Sequence, residues 1–235
     1  MNTSYTRILT NVPYSALVLT VAVVSYFLGA IPWSLLVGKL FFRIDLRKEG
    51  SGNLGTTNAF RILGAKAGIA VLILDLAKGA LAVVFAHYLV SAPRFPVGGG
   101  PVFYSLDRQA WLLIAAALAA IVGHTASPYI KFRGGKGAAT MAGVMLALMP
   151  KVFVAAALVF IGMIVLTRYV SVGTLTATFT FPFLTGVFYP QVPYLLLAMS
   201  ATFIVFYLHR ANIKRLREGT EPRFSWKNRG QGKKS

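Results

Sequence analysis

Cysteine is absent from this 235-residue sequence. Disulfides, thiolate nucleophiles and cysteine-held metals are thereby excluded. Acidic residues are scarce as well: six Asp and Glu stand against 24 Lys and Arg, for a net charge of +18. No pair of carboxylates and no Ser–His–Asp set is apparent, which leaves little support for chemistry built on two acids or on an activated serine. The three histidines, His87, His124 and His209, have no Asp, Glu or Cys partner at metal-ligand spacing, so no metal is expected, nor any cofactor. Charge as a whole is thin: 13% of residues are charged and 56% are hydrophobic, where a soluble domain carries about 25% charged residues. Such a chain is an integral membrane protein. Its positive excess then points to membrane orientation and to anionic lipids or phosphorylated substrates rather than to nucleic acid.

A helical span needs roughly 20 apolar residues. Runs of that character lie near 14–40, 69–90, 111–129, 137–149, 152–168, 171–189 and 193–208. The fourth is short, and only Pro150 and Lys151 divide it from the fifth. Cytoplasmic loops carry the excess of Lys and Arg. Seven spans with the N-terminus outside put most cations inside, at 39–66, 131–136, 168 and from 210 onward. Arg7, Arg94, Arg108 and Lys151 fall outside. The expected architecture is therefore all-α and polytopic, with seven transmembrane helices, the N-terminus outside and the C-terminus cytoplasmic. Residues 1–216 form the membrane-embedded domain, and 217–235 form a basic cytoplasmic tail expected to be flexible. The outer loop 91–110 is rich in Pro and Gly and has no comparable polar cluster.

This topology brings four short polar stretches to one face: "SGNLGTTNAFR" (51–61), "FRGGKGAAT" (132–140), "RYVS" (168–171) and "HRAN" (209–212). In the second, Gly134, Gly135, Lys136 and Gly137 precede Ala138, Ala139 and Thr140, which start the next span. Glycines let successive N–H groups turn toward one anion, a helix N-terminus adds free donors and partial positive charge, and Lys136 adds a full charge. The predicted ligand is a phosphate. The stretch is not a Walker A loop, because Gly137 rather than Ser or Thr follows the lysine. The plainer reading is a tight turn between spans with flanking cations. In the first stretch, Ser51, Thr57, Asn58 and Arg61 offer hydroxyls, an amide and a guanidinium able to grip phosphate, although Ser, Thr and Asn also serve as ordinary helix caps. His209 and Asn212 stand three residues apart and share a helix face, placed to bind a hydroxyl or orient a base. Asp75 and Lys78 are expected to pair within the bundle as a structural element.

Together these stretches carry a resemblance. "GSGNLGTTNAFR", "GHTASPYIKFRGGKGAAT", "RYVSVG" and "HRANIKRLREGTE" resemble, in order and over nearly the whole chain, the signature segments of the bacterial acyl-phosphate:glycerol-3-phosphate acyltransferases, the PlsY family. The resemblance implies a seven-helix inner-membrane enzyme with its active site at the cytoplasmic face. It implies transfer of a fatty acyl group from acyl phosphate to the sn-1 hydroxyl of glycerol 3-phosphate, giving lysophosphatidic acid and phosphate, with no cofactor and no obligate protein partner. The positions matching the family pattern are Ser51, Thr57, Arg61, Lys136, Ser171, His209 and Asn212. Arg133 stands where Lys is common, Ala138 where Val is common, and Leu208 where a basic residue is common. The expected catalytic set is Ser51, Lys136, Ser171, His209 and Asn212. The expected substrate-binding set is Thr57, Asn58, Arg61, Arg133, Gly134, Gly135, Gly137 and Thr140. The competing reading is a transporter or channel for an anionic metabolite, which needs polar access from both faces.

Overall fold

The structure, a computed structural model, describes residues 13–91 and 106–224. Most of loop 91–110 and the tail from 225 lie outside the described residues, as does Arg7. Among those described, the chain is all-helical: α1 (Tyr14–Ala30), α2 (Trp33–Phe42), α3 (Thr56–Leu63), α4 (Ala65–Ser91), α5 (Leu106–Thr125), α6 (Ala138–Leu148), α7 (Pro150–Thr167), α8 (Val170–Phe188), α9 (Val192–Leu208) and α10 (Arg210–Arg217), with one 3₁₀ turn at Pro128–Ile130.

Among the described residues, five runs are long and apolar enough to cross a membrane: Tyr14–Phe42, Ala65–Leu89, Arg108–Ile130, Pro150–Thr167 and Val170–Phe188. A sixth arises if α9 and α10, bent by 56° at His209, count as one span. This is a multi-pass helical membrane protein. The run expected over 137–149, read as short, is a short apolar helix. Its helix, Ala138–Leu148, has 11 residues, about 17 Å at 1.5 Å per residue, against a hydrocarbon core about 30 Å thick. The cause is local. Gly137 starts the helix with φ 77°, and Met149 leaves helical geometry (φ −137°, ψ 66°) just before Pro150 opens α7. Tyr14–Phe42 is likewise divided at Ile31–Pro32 into α1 and α2.

In a bilayer, helices associate through close packing rather than hydrophobic exclusion, and small residues permit that closeness. Two reciprocal glycine pairs do so here. A Cβ on Gly79 of α4 would stand 2.1 Å from the Thr140 carbonyl oxygen, and one on Gly143 of α6 would stand 1.9 Å from that of Leu76. Likewise a Cβ on Gly29 would meet the Ala120 oxygen at 2.1 Å, and one on Gly123 the Tyr26 oxygen at 2.1 Å. The obstructing atoms are backbone, so neither helix of a pair can yield by a rotamer change. The short helix α6 is thus held against α4 by backbone-to-backbone fit. Gly79→Val is expected to lower the unfolding temperature in detergent, by the equivalent of about 1–3 kcal/mol or more. A substitution at Gly162, beside which a Cβ meets nothing within 4 Å, should change it little.

Asp75 and Lys78 pair as expected, with Lys78 Nζ 2.8 Å from Asp75 Oδ1. His124 joins them: Lys78 Nζ lies 2.8 Å from its Nδ1. All three side chains are buried.

Candidate active site

The site forms where the end of α5, the loop into α6, the first turn of α8 and the end of α9 meet. Lys136 is its centre. Its Nζ donates to Asn212 Oδ1. Asn212 Nδ2 donates to Glu221 Oε1 at 2.6 Å, and Arg215 Nε donates to Glu221 Oε2 at 2.7 Å. The result is a line of four polar groups, each fixing the next. Burial, then the nearby Arg215 and more weakly Arg61, push the Lys136 ammonium down to about 8, with Glu221 acting in the opposite direction. Burial pushes the Glu221 carboxyl up, yet the bonds from Asn212 and Arg215, with the Ser171 hydroxyl close by, outweigh it and hold the group below its ordinary range.

Glu221 is the residue that sequence reasoning missed. It lies beyond α10 and beyond the expected domain boundary at 216/217. Gly219 takes a left-handed conformation (φ 68°), which glycine adopts without penalty. The amides of Thr220 and Glu221 both return to the Arg215 carbonyl, at 2.8 and 3.2 Å. That reversal carries the carboxylate back under Asn212. The segment then stays docked: Arg223 Nε donates to the Tyr169 hydroxyl at 3.2 Å, and the Phe224 amide donates to the Arg168 carbonyl at 2.6 Å. Residues 218–224 therefore belong with the helical body, and a division after residue 216 cuts through the site. The readable signal was Gly–Thr–Glu directly after a basic helix end.

The glycine loop has its residue types for two different reasons. Gly137 needs its left-handed φ to begin α6. Gly134 and Gly135 need space instead. A Cβ on Gly134 would lie 1.9 Å from the His124 carbonyl oxygen, and one on Gly135 would lie 2.3 Å from His124 Nε2 and 2.5 Å from the Leu54 oxygen. The Gly134 amide is already used, donating to the Thr125 oxygen at 3.0 Å. Any nest is therefore shifted forward. The amides of Ala138, Ala139 and Thr140 open α6, where N–H groups have no intrahelical acceptor, and the first helical bond is that of Met141 to the Gly137 oxygen.

The other expected residues separate into groups. Ser171 is buried in the first turn of α8, with its hydroxyl turned toward Glu221. His209 is buried and its Nδ1 lies 2.8 Å from the Val205 oxygen. A carbonyl can only accept, so Nδ1 carries the proton and Nε2 is left as an acceptor. Arg61 and Thr57 are exposed on α3, Arg133 is exposed before the glycines, and Ser51 is exposed in the loop before α3. Two expectations change. Asn58 is buried and committed to the chain: its Oδ1 accepts from the Ser51 amide at 3.1 Å, and its Nδ2 donates to the Leu46 and Glu49 oxygens at 3.3 and 3.0 Å. It shapes the 46–51 loop and has no donor left for a substrate. Thr140 is fully enclosed between α6 and α4, so only its backbone amide is placed for binding. Thr56, not singled out by its sequence context, has a buried hydroxyl beside Thr57 with no partner among the described residues. Among the described residues no group of His, Asp and Glu is arranged to hold a metal.

Fold and site together define a class: a multi-pass helical membrane protein with a lysine, helix-start amides and an Asn–Glu–Arg line gathered at one end of its helices. Comparison with known proteins narrows it. The glycerol-3-phosphate acyltransferase family model matches residues 19–219. Glycerol-3-phosphate acyltransferases of Macrococcus caseolyticus and Geobacillus kaustophilus are each 41% identical, over 87% and 90% of this chain and 95% and 97% of theirs. The crystal structure of PlsY, an integral membrane glycerol 3-phosphate acyltransferase, in its glycerol 3-phosphate form superposes with a TM-score of 0.76 at 34% identity, covering 88% of this chain and 96% of that one. Its lysophosphatidic acid form gives 0.74 at 32%, covering 88% and 95%. The chain belongs to the glycerol-3-phosphate acyltransferase family and is an acyltransferase.

Proposed function

We propose that this protein transfers a fatty acyl group from acyl phosphate to the sn-1 hydroxyl of glycerol 3-phosphate, forming lysophosphatidic acid and phosphate for phospholipid synthesis. The observation that carries this reading is Lys136, a half-buried ammonium at the mouth of a helix N-terminus. It stands beside Asn212, with Arg215, Glu221 and Arg61 nearby, in a chain whose relatives are named glycerol-3-phosphate acyltransferases. The acyl chain of the donor lies among the apolar helices, and its phosphate lies against Lys136 and the first amides of α6. Arg61, Ser51, His209 and Asn212 bind glycerol 3-phosphate. Ser171 and Thr57 donate to phosphate oxygens, and Arg133 sits at the entrance. Asn58 and the glycines hold these groups in place.

Acyl phosphate is a mixed anhydride with a good leaving group, so direct attack by the glycerol hydroxyl on the acyl carbon suffices. Two acceptors are open to the hydroxyl proton: His209 Nε2 and an oxygen of the departing phosphate. Loss of a general base typically removes a factor of about 10²–10⁴. A His209→Asn variant that keeps turnover within about tenfold of the parent would therefore assign the proton to phosphate.

In the proposed topology the chain crosses the inner membrane with its N-terminus outside, its C-terminus in the cytoplasm and the site at the cytoplasmic face. The short helix α6 serves as one of seven transmembrane helices, and no protein partner is required. Reporters inserted after Pro101 and fused at the C-terminus should then lie on opposite sides. Function is tested with purified protein in detergent, given labelled glycerol 3-phosphate and palmitoyl phosphate. Lysophosphatidate should form without any gradient, and palmitoyl-CoA should give essentially none. Efficient use of palmitoyl-CoA, or no product from either donor, would overturn the reading, the latter in favour of transport.

A pH profile follows from the Lys136 environment. Because kcat/KM reports groups of the free enzyme and this ammonium loses its proton near pH 8, kcat/KM should fall as pH rises through about 8. Residual activity of Lys136→Arg should lack that decline, since a guanidinium keeps its charge.

A further inference from the structure

Three ionisable side chains are buried beneath the glycine loop in a chain with very few acids. Removing an ion pair from water is expensive, and intramembrane charges are seldom retained without a function. Lys78 Nζ has three neighbours: the Ile31 carbonyl oxygen at 2.9 Å, His124 Nδ1 at 2.8 Å and Asp75 Oδ1 at 2.8 Å. The last has the geometry of an ion pair rather than of a directed hydrogen bond. An ammonium can only donate, so His124 Nδ1 accepts and the neutral imidazole carries its proton on Nε2. Nε2 is the atom that faces Gly135, occupying the space a Cβ there would need. The backbone of the same histidine confines Gly134, whose Cβ would strike the His124 oxygen. The Leu54 carbonyl oxygen, from the first polar stretch, closes against the same position of Gly135, 2.5 Å from where a Cβ would stand.

We propose that the Asp75–Lys78–His124 cluster is a positioning device for the transfer reaction: Lys78 locks the His124 ring in one orientation and one tautomer, and the ring sets the height of the glycine loop, and hence of Lys136, against the donor phosphate. The inference rests on the placement of acyl phosphate at this loop. Ile31 lies at the α1–α2 break and Ser127 Oγ donates to the neighbouring Ala30 oxygen at 2.6 Å, so the same tie fixes three spans under the loop. Bundle stability alone would call only for the Asp75–Lys78 pair. The imidazole between that pair and the loop is what couples them.

The informative variant is His124→Asn. Its Oδ1 can accept from Lys78, leaving the ion pair satisfied, but its side chain is too short to support Gly135. The unfolding temperature should stay near the parent's. KM for acyl phosphate should rise about tenfold or more, the scale of one lost buried polar interaction, while KM for glycerol 3-phosphate stays within about twofold. Unchanged KM for both substrates, or a fall in unfolding temperature with both KM values rising together, would overturn the proposal. In ¹⁵N-histidine-labelled protein, His124 should show the Nε2–H tautomer and lose it in the doubly neutral variant Asp75→Asn, Lys78→Met. An Nδ1–H tautomer in the parent would also overturn it. Lys136→Ala run alongside separates the two layers. If Lys136→Ala leaves both turnover and KM for acyl phosphate unchanged, the placement of the donor is wrong, whereas a response to Lys136→Ala but not to His124→Asn sinks the positioning role alone.

Discussion

Lys136→Ala should insert and fold normally yet lose turnover by a factor of about 10²–10³, because an interaction with charge developing in a water-poor site is typically worth about 3–4 kcal/mol. Folding should survive because Asn212, to which Lys136 donates, stays tied to Glu221 through its own bond. Lys136→Arg should fail to a similar degree. Lysine presents a compact point charge at the end of a flexible stem, while a guanidinium needs more room and a planar partner. Here it would meet a single amide oxygen, with Arg61 and Arg215 already contributing positive charge nearby. Near-normal turnover in the arginine variant would reduce the residue to a general cation and remove the donor phosphate from this loop.

Glu221→Ala should damage both stability and activity. It leaves Asn212 and Arg215 without their acceptor, and bonds to a charged group are worth about 1.5–3 kcal/mol each. The unfolding temperature in detergent should fall clearly. In protein that remains folded, turnover should drop about tenfold to a hundredfold, because Asn212 no longer holds Lys136 in one place. Glu221→Gln should recover part of both losses, since its amide oxygen can still accept from Asn212 although the ionic partner of Arg215 is gone. Equal behaviour of the Ala and Gln variants would mean that the carboxylate does not act through Asn212.

The apolar runs made the membrane architecture legible, because hydropathy over about 20 residues measures the property that decides insertion. They marked the short helix over 137–149 to within a residue at each end, where backbone geometry at Gly137 and Met149 closes it. The site was legible where chemistry is written in residue type, as at Lys136, Asn212 and His209. It was hidden where tertiary placement decides. Asn58 looked like a substrate ligand and is instead used up by the backbone of its own loop. Gly134 and Gly135 looked like a nest; the Gly134 amide is taken by the Thr125 oxygen, and both positions also need glycine because His124 fills the space beside them. Glu221 looked like part of a solvated basic tail, and only the left-handed turn at Gly219 returns it to the site.

The most direct test of the account is a crystal structure with glycerol 3-phosphate and a non-reactive acyl phosphonate bound together. The phosphonate should sit on Lys136 Nζ and the first amides of α6, with its acyl chain between the helices. The glycerol phosphate should lie beside Arg61 and His209 with its sn-1 hydroxyl facing the acyl carbon. Glycerol phosphate occupying the glycine loop, with the phosphonate elsewhere, would contradict it.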